Sequence, residues 1–504
     1  MNGRIAVTLT GVSKTFGDHA VLENVSCTLE GGRIVAITGR NGSGKSTFLR
    51  LAGHLLRPSE GRVVVTTGDA PLTRDGLRRH LGLLAPELAL SPELTGMENL
   101  DFLAGLRGRA LTDDEKTALC ERVGLAPEDA RKRARACSTG QRQRLALAVL
   151  LASGADLWLL DEPGANLDEA GRETVRREAR AAAERGALVI IATNDAGEAA
   201  WADEVIELGT SSTTVRPQPQ TTLSAALRAP ALPEGEPYEK ETTASFQEKP
   251  DIRAAASTYG GGAERQRGGG GSSGARTTEL AYPPASATFH LLRRELVSAL
   301  RSRSSLAVMA LFSITALLAL SMALGGTVLS PAPLSAMLWA LLFFASSMGL
   351  GGTFAADEAA GTLLTLRIYG AGQAVLYGKT AFSLLMLLLL AVVLVPLFFV
   401  LLDASCTLPL LLLATLVLGL LGLAAAGTLL SALTAGSEGR AAGGLLPVLL
   451  LPVILPVFLP AVSLTQAALG GHPAGLSLLV GMGLYDLLLL VGSSLLFDAL
   501  WYED

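Results

Sequence analysis

The chain has 504 residues, a net charge of −5 and a hydrophobic fraction of 49%. This length exceeds one ordinary hydrophobic core, so we expect two or more domains. The modest charge indicates no nucleic-acid partner, and the four cysteines show none of the spacings typical of zinc or haem attachment.

A phosphate loop is the first motif along the chain. The predicted strand Ile34–Ile37 is followed by G-R-N-G-S-G-K-S-T and then by a predicted helix from Phe48. This fits G-x-x-x-x-G-K-[ST], in which backbone N–H groups and a helix N-terminus bind phosphates. Lys45 is expected to reach the β- and γ-phosphates, and Ser46 to bind Mg²⁺. The residues assigned to nucleotide binding here are Gly39, Arg40, Asn41, Gly42, Ser43, Gly44, Lys45, Ser46 and Thr47.

An acidic pair follows a second apolar strand, Leu157–Leu160. Asp161 at the strand end can hold Mg²⁺ through water, and Glu162 can polarise the attacking water. We therefore predict Ser46 and Asp161 as the magnesium residues, and Glu162 and Lys45 as catalytic residues. Together the motifs predict an α/β P-loop NTPase domain over residues 1–210.

Further segments of this domain resemble the ABC-transporter ATPases, over residues 5–208. C-S-T-G-Q at Cys137–Gln141 is similar to the LSGGQ signature, Ala165–Asp168 to the D-loop, and Leu94–Leu100 to the LT-x-x-ENL segment. The resemblance implies ATP and Mg²⁺ as cofactors and stacking of Phe16 on adenine, with a core phenylalanine as the alternative. The residues it assigns to the signature and the D-loop are Ser138, Thr139, Gly140, Gln141 and Asp168.

Two positions depart from the family pattern. Pro86, next to Glu87, stands at the Q-loop glutamine position, and Asn194 stands at the switch-histidine position. Asparagine can donate a hydrogen bond towards a γ-phosphate but cannot carry a proton at neutral pH. We keep Asn194 as a predicted catalytic residue, and we expect ATP hydrolysis because the phosphate-loop and acidic residues are all present.

Residues 211–285 are predicted to form a flexible linker. Their composition turns to Ser, Thr, Pro and Gly, with a glycine run at Gly268–Gly274 and no apolar periodicity. A coil of this length spans roughly 50 Å and does not fix the orientation of its neighbours. A second domain is therefore expected over residues 286–504.

This second domain is predicted to be an all-α transmembrane permease domain. From Leu306 the sequence is almost uniformly apolar, in stretches long enough to cross a bilayer. The six predicted spans are Leu306–Leu329, Leu334–Gly352, Thr380–Leu402, Leu408–Leu433, Leu445–Val462 and Leu476–Leu496. Phe289–Arg303 mixes leucines with arginines, as in an interfacial helix.

The basic residues that flank these spans fall on one side if the spans alternate. The positive-inside rule then places both termini in the cytoplasm. These residues are Arg293, Arg294, Arg301, Arg303, Arg367, Lys379 and Arg440.

Two segments of the second domain resemble known permeases. The inner loop Thr353–Lys379 contains D-E-A-A-G-T-L-L and G-K, similar to the E-x-x-x-G-T-L-E and G-K of exporter-type permeases. It is a candidate contact for the ATPase domain, and a plain connecting loop is the alternative. The proline-rich Gly443–Phe458 is similar to the fifth span of the cytochrome c maturation permease CcmB, with a generic kinked helix as the alternative. The chain thus resembles a CcmA–CcmB fusion.

Two isolated polar residues leave alternatives open. Asp486 falls within the sixth span, where a charge is costly, so it faces the bundle interior, is protonated or marks a functional site. His472 lies in the last outer loop, where a solvated histidine and a haem contact are both possible.

The resemblance implies an ATP-hydrolysing translocase of c-type cytochrome biogenesis in the bacterial cytoplasmic (inner) membrane. Because an ABC site is shared between two subunits, a homodimer is expected. The implied partners are the bilayer, a haem-handling membrane subunit and a haem chaperone, with no nucleic acid. Two alternatives remain: an exporter of another cargo, such as a lipid, drug or peptide, and a nucleotide-gated membrane scaffold with weak ATPase activity.

Overall fold

The computed structural model describes residues 4–68, 70–86, 88–209, 214–217, 284–302, 304–350, 353–434, 442–472 and 475–501. Most of the predicted linker lies outside these ranges, as do Glu87, Arg303 and Arg440.

The described part of the N-terminal domain contains two sheets. Its strands are β1 (Ile5–Phe16), β2 (His19–Glu30), β3 (Arg33–Thr38), β4 (Glu60–Thr67), β5 (Ala70–Pro71), β6 (Leu81–Leu84), β7 (Leu157–Asp161), β8 (Leu188–Ala192), β9 (Glu204–Glu207) and β10 (Thr214–Pro217). An antiparallel sheet has the order β2-β1-β4-β5, and a mainly parallel sheet has the order β10-β9-β3-β8-β7-β6. β7 and β8 are buried along their whole length, as expected for parallel strands covered on both faces.

Helices surround the parallel sheet. They are α1 (Lys45–Ala52), α2 (Arg74–His80), α3 (Gly96–Leu106), α4 (Asp113–Arg122), α5 (Pro127–Ala130), α6 (Thr139–Ser153), α7 (Glu169–Glu184) and α8 (Ala196–Ala199), with a 3₁₀ turn at Ala134–Ala136. α3, α4 and α6 each begin with a capping box, in which the side chains of the first and fourth residues of the motif satisfy each other's backbone N–H groups. The predicted α/β fold of this domain is confirmed.

The register of the parallel strands brings three loops together. Ile37 of β3 pairs with Ala192 of β8, and Ala192 pairs with Asp161 of β7. The loops that follow these strands therefore leave the same carboxyl edge of the sheet, where open α/β sheets bind ligands.

One strand falls inside the range predicted as linker. β10 pairs antiparallel with β9, with Val215 opposite Ile206. The sheet therefore continues beyond residue 210, and the linker boundaries stay a prediction.

The C-terminal domain is helical in its described part. Its helices are α9 (Pro284–Ser302), α10 (Ser304–Leu324), α11 (Pro331–Leu350), α12 (Thr353–Ala359), α13 (Thr362–Tyr369), α14 (Gly372–Leu401), α15 (Pro409–Thr434), α16 (Ala442–Gly470) and α17 (Leu476–Trp501). Among the described residues, six helices are long and apolar enough to cross a membrane, which confirms the six predicted spans. α14 begins eight residues before the predicted third span, because Lys379 interrupts the apolar pattern but is fully buried.

An aromatic and small-residue core holds the bundle together. Trp339 of α11 donates its indole N–H to Thr465 Oγ1 on α16 at 2.9 Å. Its ring packs so close to Gly419 of α15 that a Cβ there would lie 2.0 Å away. A substitution at Gly419 would therefore force these helices apart.

The two isolated polar residues differ in environment. Asp486 of α17 is buried, and neither carboxylate oxygen has a hydrogen-bond partner within the described residues. His472, which follows α16, is exposed. The location of Asp486 in the bundle interior is confirmed, whereas functional roles for both residues stay predictions.

Candidate nucleotide site and its contact with the membrane domain

The phosphate loop connects β3 to α1. Gly44 adopts a φ of 89° at the N-terminus of α1, and a Cβ there would lie 2.9 Å from Leu22 Cδ2 and 3.0 Å from Val21 O. Glycine is therefore required both by the backbone conformation and by the β2 strand that closes on the loop.

Polar groups inside the loop are arranged to receive an anion. Lys45 is 7% exposed, and its ammonium donates to the carbonyls of Gly39 at 3.0 Å and Arg40 at 3.2 Å. Ser43 Oγ is buried without a hydrogen-bond partner in the described structure. A phosphate group in this loop would accept a hydrogen bond from the Ser43 hydroxyl. It would also replace the two carbonyls as the acceptor for the Lys45 ammonium.

The acidic pair lies at the same edge of the sheet. Asp161 ends β7 and is buried. Glu162 donates its N–H to Ala192 O at 2.9 Å and has a φ of 44°, which is uncommon for a residue with a side chain. The hydroxyl of Ser46 in the first turn of α1 and the Asp161 carboxylate are hard oxygen donors, so the residue types fit Mg²⁺.

The switch position lies next to the phosphate loop. Asn194 follows β8, and its Nδ2 donates to Asn41 Oδ1 at 2.9 Å. Thus the structure brings Asn194 to the loop that the sequence assigns to nucleotide binding.

The signature segment forms the exposed start of α6. Ser138 caps this helix and Gln141 bonds back to the Ser138 N–H at 2.9 Å. Gly140 approaches the D-loop, since a Cβ on it would lie 3.1 Å from Asn166 O. Asp168 caps α7 through Gly171 N–H at 2.9 Å and forms an ion pair with Arg144 of α6. The signature and the D-loop are therefore neighbours at one surface of this domain.

The structure also separates two alternatives for Phe16 and locates Pro86. The Phe16 side chain is 49% exposed, which excludes a core position, while its contact with adenine stays a prediction. Pro86 follows β6 and lines a cavity of about 300 Å³ together with Thr139 of α6 and Ala360 of the membrane domain. The Q-loop position thus lies between the signature helix and the membrane domain, but offers no side-chain donor or acceptor.

The inner loop contacts the ATPase domain, as the sequence predicts. Thr365 of α13 donates to Ala89 O at 2.7 Å, and Arg78 of α2 donates to Gly370 O at 2.9 Å. The Arg107 guanidinium lies 4.4 Å from the centre of the Tyr369 ring. α13 therefore connects the membrane domain to the segment that follows the Q-loop position.

A buried four-charge cluster lies behind this contact. Lys379 Nζ lies 2.6 Å from Asp357 Oδ2 and 2.9 Å from Glu295 Oε1. Arg294 bonds to both carboxylates and donates its Nε–H to Ser91 Oγ of the ATPase domain at 3.0 Å. The two loop motifs thus meet in an ion pair, Asp357 with Lys379. In the sequence, Arg294 served only to predict the orientation of the spans across the membrane. No sequence pattern predicted its contact with the ATPase domain.

A second arginine of α9 binds the start of α3. The Arg301 guanidinium holds Glu98 in a two-bond ion pair at 2.6 and 2.8 Å and donates to Glu93 O at 2.7 Å. The Arg301 hydrogen bond is the main cause that lowers the pKa of Glu98 to about 2. Because this pKa lies below the ordinary value, the ion pair contributes its full stabilisation of the folded state above about pH 4.5. This stabilisation is lost as the pH falls towards 2 and Glu98 takes up a proton.

We expect Arg301→Ala to increase hydrogen exchange of the backbone amides in α9 and in the first turn of α3 by about two- to fivefold at pH 7. The reason is that both ends of the ion pair lose a charged partner. Hydrogen–deuterium exchange of the purified full chain measures the change. Arg293→Ala, which removes an exposed arginine from the same helix, is the matched control. Equal protection in both variants would show that the ion pair does not hold α9 to α3.

Comparisons with known proteins agree with this division into two domains. Residues 22–165 match the family model "ABC transporter", and residues 286–493 match "CcmB protein". The chain is 39% identical over 196 residues to a phosphonates import ATP-binding protein of Rhodopseudomonas palustris, covering 36% of this chain and 69% of the relative.

Other relatives match the same region. A daunorubicin resistance ATP-binding protein of Streptomyces coeruleorubidus is 35% identical to this chain. The match covers 38% of this chain and 62% of the relative's length. A macrolide export ATP-binding/permease protein of R. palustris is 34% identical over 45% of this chain, which spans 36% of that relative. A solved dimeric ATP-binding cassette bound to ADP and Pi is 27% identical, with a TM-score of 0.38 over 42% of this chain and 98% of that chain.

The fold, the phosphate loop and the acidic strand end define a nucleotide-binding ATPase domain joined to a membrane domain. The chain belongs to the ABC transporter family, with an ABC ATPase domain fused to a CcmB domain, which confirms the predicted architecture.

Proposed function

We propose that the chain is an ATP-driven transporter of c-type cytochrome biogenesis, which couples ATP hydrolysis to haem export or to release of a haem-loaded chaperone. The match of residues 286–493 to the CcmB family supports this assignment. The docking of α13 against the segment after β6 supplies the physical connection between the nucleotide site and the membrane bundle.

The nucleotide site supports a division of roles among its residues. Lys45 and the loop amides bind the β- and γ-phosphates, and Glu162 orients the attacking water. Asn194 donates a hydrogen bond towards the γ-phosphate. Ser46 and Asp161 hold Mg²⁺, which would neutralise the charge that develops on the phosphate oxygens.

We further propose a homodimer in the bacterial cytoplasmic membrane, with both termini in the cytoplasm. One chain holds one phosphate loop and one exposed signature, so two chains complete two sites. The arginines of α9 and the docked ATPase domain belong on the cytoplasmic side by the positive-inside rule. A haem-handling membrane subunit and a haem chaperone are the partners in this proposal.

Deleting the gene and staining c-type cytochromes for haem tests the proposal. We expect holocytochromes to disappear and to return with the wild-type gene but not with Lys45→Ala, because the ammonium that binds phosphate is lost. Immunoblots of the chain must show equal amounts of both proteins. Normal holocytochromes in the deletion strain, in the absence of a second copy of the system, would contradict the role in cytochrome maturation.

An exporter of another cargo is the second candidate. It is favoured by the names of two relatives, a daunorubicin resistance protein and a macrolide export protein. In that case the deletion would leave holocytochromes intact and change sensitivity to an exported compound. A nucleotide-gated scaffold, suggested by Pro86 and Asn194, would bind ATP without measurable turnover.

A further inference from the structure

A buried glutamate connects two loops of the nucleotide site. Glu198 lies on the short α8 and is 6% exposed. One carboxylate oxygen accepts the Gly164 N–H at 2.8 Å, and the other accepts the Thr193 hydroxyl at 2.6 Å. Gly164 stands immediately before the D-loop, and Thr193 immediately before Asn194. One side chain therefore binds the segments that carry both functional elements.

The residues around Glu198 pack tightly against its side chain. A Cβ on Gly164 would lie 2.2 Å from Glu198 Oε1, so only glycine allows this approach. Thr193 is 1% exposed, and its hydroxyl also accepts the Asp195 N–H at 3.0 Å. Burial raises the pKa of the Glu198 carboxyl above its ordinary value, although the hydrogen bonds from Thr193 and Gly164 act in the opposite direction. A carboxylate in such a place needs its two donors, because a buried polar group without partners is costly.

The segments at Gly164 and Thr193 that Glu198 binds continue into residues of the proposed ATP site. Asn194, next to Thr193, bonds to Asn41 of the phosphate loop at 2.9 Å. The segment after Gly164 reaches Asp168, which is paired with Arg144 of the signature helix. A shift of Thr193 relative to Gly164 would thus move Asn194 relative to the D-loop.

We propose that Glu198 is a positioning residue that locks the D-loop to the Thr193–Asn194 segment, so that both enter the closed ATP site in one arrangement. This inference rests on the proposed ATPase function and deepens it. Glu198 acts through Gly164 and Thr193 and touches no nucleotide. Binding of ATP, which depends on the phosphate loop, should then be separable from turnover, which depends on where Asn194 is placed.

Variants at both ends of the Thr193 bond test the lock in the purified full chain. Glu198→Gln keeps the size of the side chain but has one acceptor oxygen for two donors. Thr193→Val keeps the shape and removes the donor, whereas Thr193→Ser keeps the donor. Glu184→Gln, an exposed glutamate at the end of α7, is the matched control.

We expect Glu198→Gln and Thr193→Val each to lower kcat by about three- to tenfold, with KM for ATP and the Kd of a fluorescent nucleotide within about twofold of wild type. Thr193→Ser and Glu184→Gln should keep the wild-type kcat. In the double variant Glu198→Gln/Thr193→Val the losses should not multiply, because both changes break the same bond.

Three results would overturn the inference: an unchanged kcat in both single variants, a rise in KM as large as the fall in kcat, or losses that multiply in the double variant. Thermal unfolding of each variant shows whether it is folded, and Thr193→Val carries the test if Glu198→Gln does not fold. Absence of ATP turnover in the wild-type chain would overturn the proposed ATPase function together with the lock, whereas wild-type turnover with insensitive variants overturns only the lock.

Discussion

Glu162→Gln is expected to lower ATP turnover of the full chain by about 10²-fold or more, since a general base contributes about 10² to 10⁴ to the rate. The Glu162 N–H is fixed on Ala192 O at 2.9 Å, so the backbone geometry survives the change. The glutamine keeps the shape of the side chain but cannot accept a proton from water. Nucleotide affinity should stay within about threefold, because the phosphate loop is untouched.

Phosphate release measured in detergent or nanodiscs, together with fluorescent nucleotide binding, checks this result. Glu121→Gln on the exposed face of α4 is a control of the same chemistry. Turnover that persists in Glu162→Gln would remove Glu162 from the catalytic role. Loss of binding along with turnover would instead indicate that the site had collapsed.

The second large effect is expected at the buried charge cluster. Arg294→Met should destabilise the chain by about 3–5 kcal/mol, because it leaves the buried Asp357 and the partly buried Glu295 with Lys379 as the remaining cation of the cluster. The double variant Arg294→Met/Asp357→Leu should recover part of this loss, since Glu295 and Lys379 then form a balanced pair. Arg293→Met changes an exposed arginine of the same helix and should have little effect.

Thermal unfolding in detergent, followed by tryptophan fluorescence, measures these differences. The unfolding midpoint of Arg293→Met should lie near that of the wild type. The midpoint of the double variant should be lower, and that of Arg294→Met should be the lowest. A double variant that is less stable than Arg294→Met would contradict the view that charge balance holds the cluster together.

Local motifs made much of the nucleotide site predictable. The strand, the glycine loop and the helix start lie within about twenty residues, and the acidic pair ends another apolar strand, so each signal is readable without knowledge of distant contacts. The alignment of Ile37, Ala192 and Asp161 follows once the strands are parallel.

Contacts between distant segments could not be predicted in this way. Arg294 and Asp357 are 63 positions apart, and Glu295 and Lys379 are 84 apart. Each was visible only as a flanking charge or as part of a loop motif, because pairing depends on how the helices pack. Glu198 gave no signal either, since one acid in a four-residue helix is normally a solvated group.

The contacts of α9 have a thermodynamic consequence in a chain that carries both domains. In separate subunits, an ion pair such as Arg301–Glu98 would have to hold the ATPase against dissociation into free solution. On one polypeptide, an undocked ATPase domain remains near its membrane domain at an effective concentration on the order of millimolar. Rebinding is therefore intramolecular, and each docking contact can break and re-form in every cycle without release of the ATPase domain. The ratio of ATPase domains to membrane domains stays one to one.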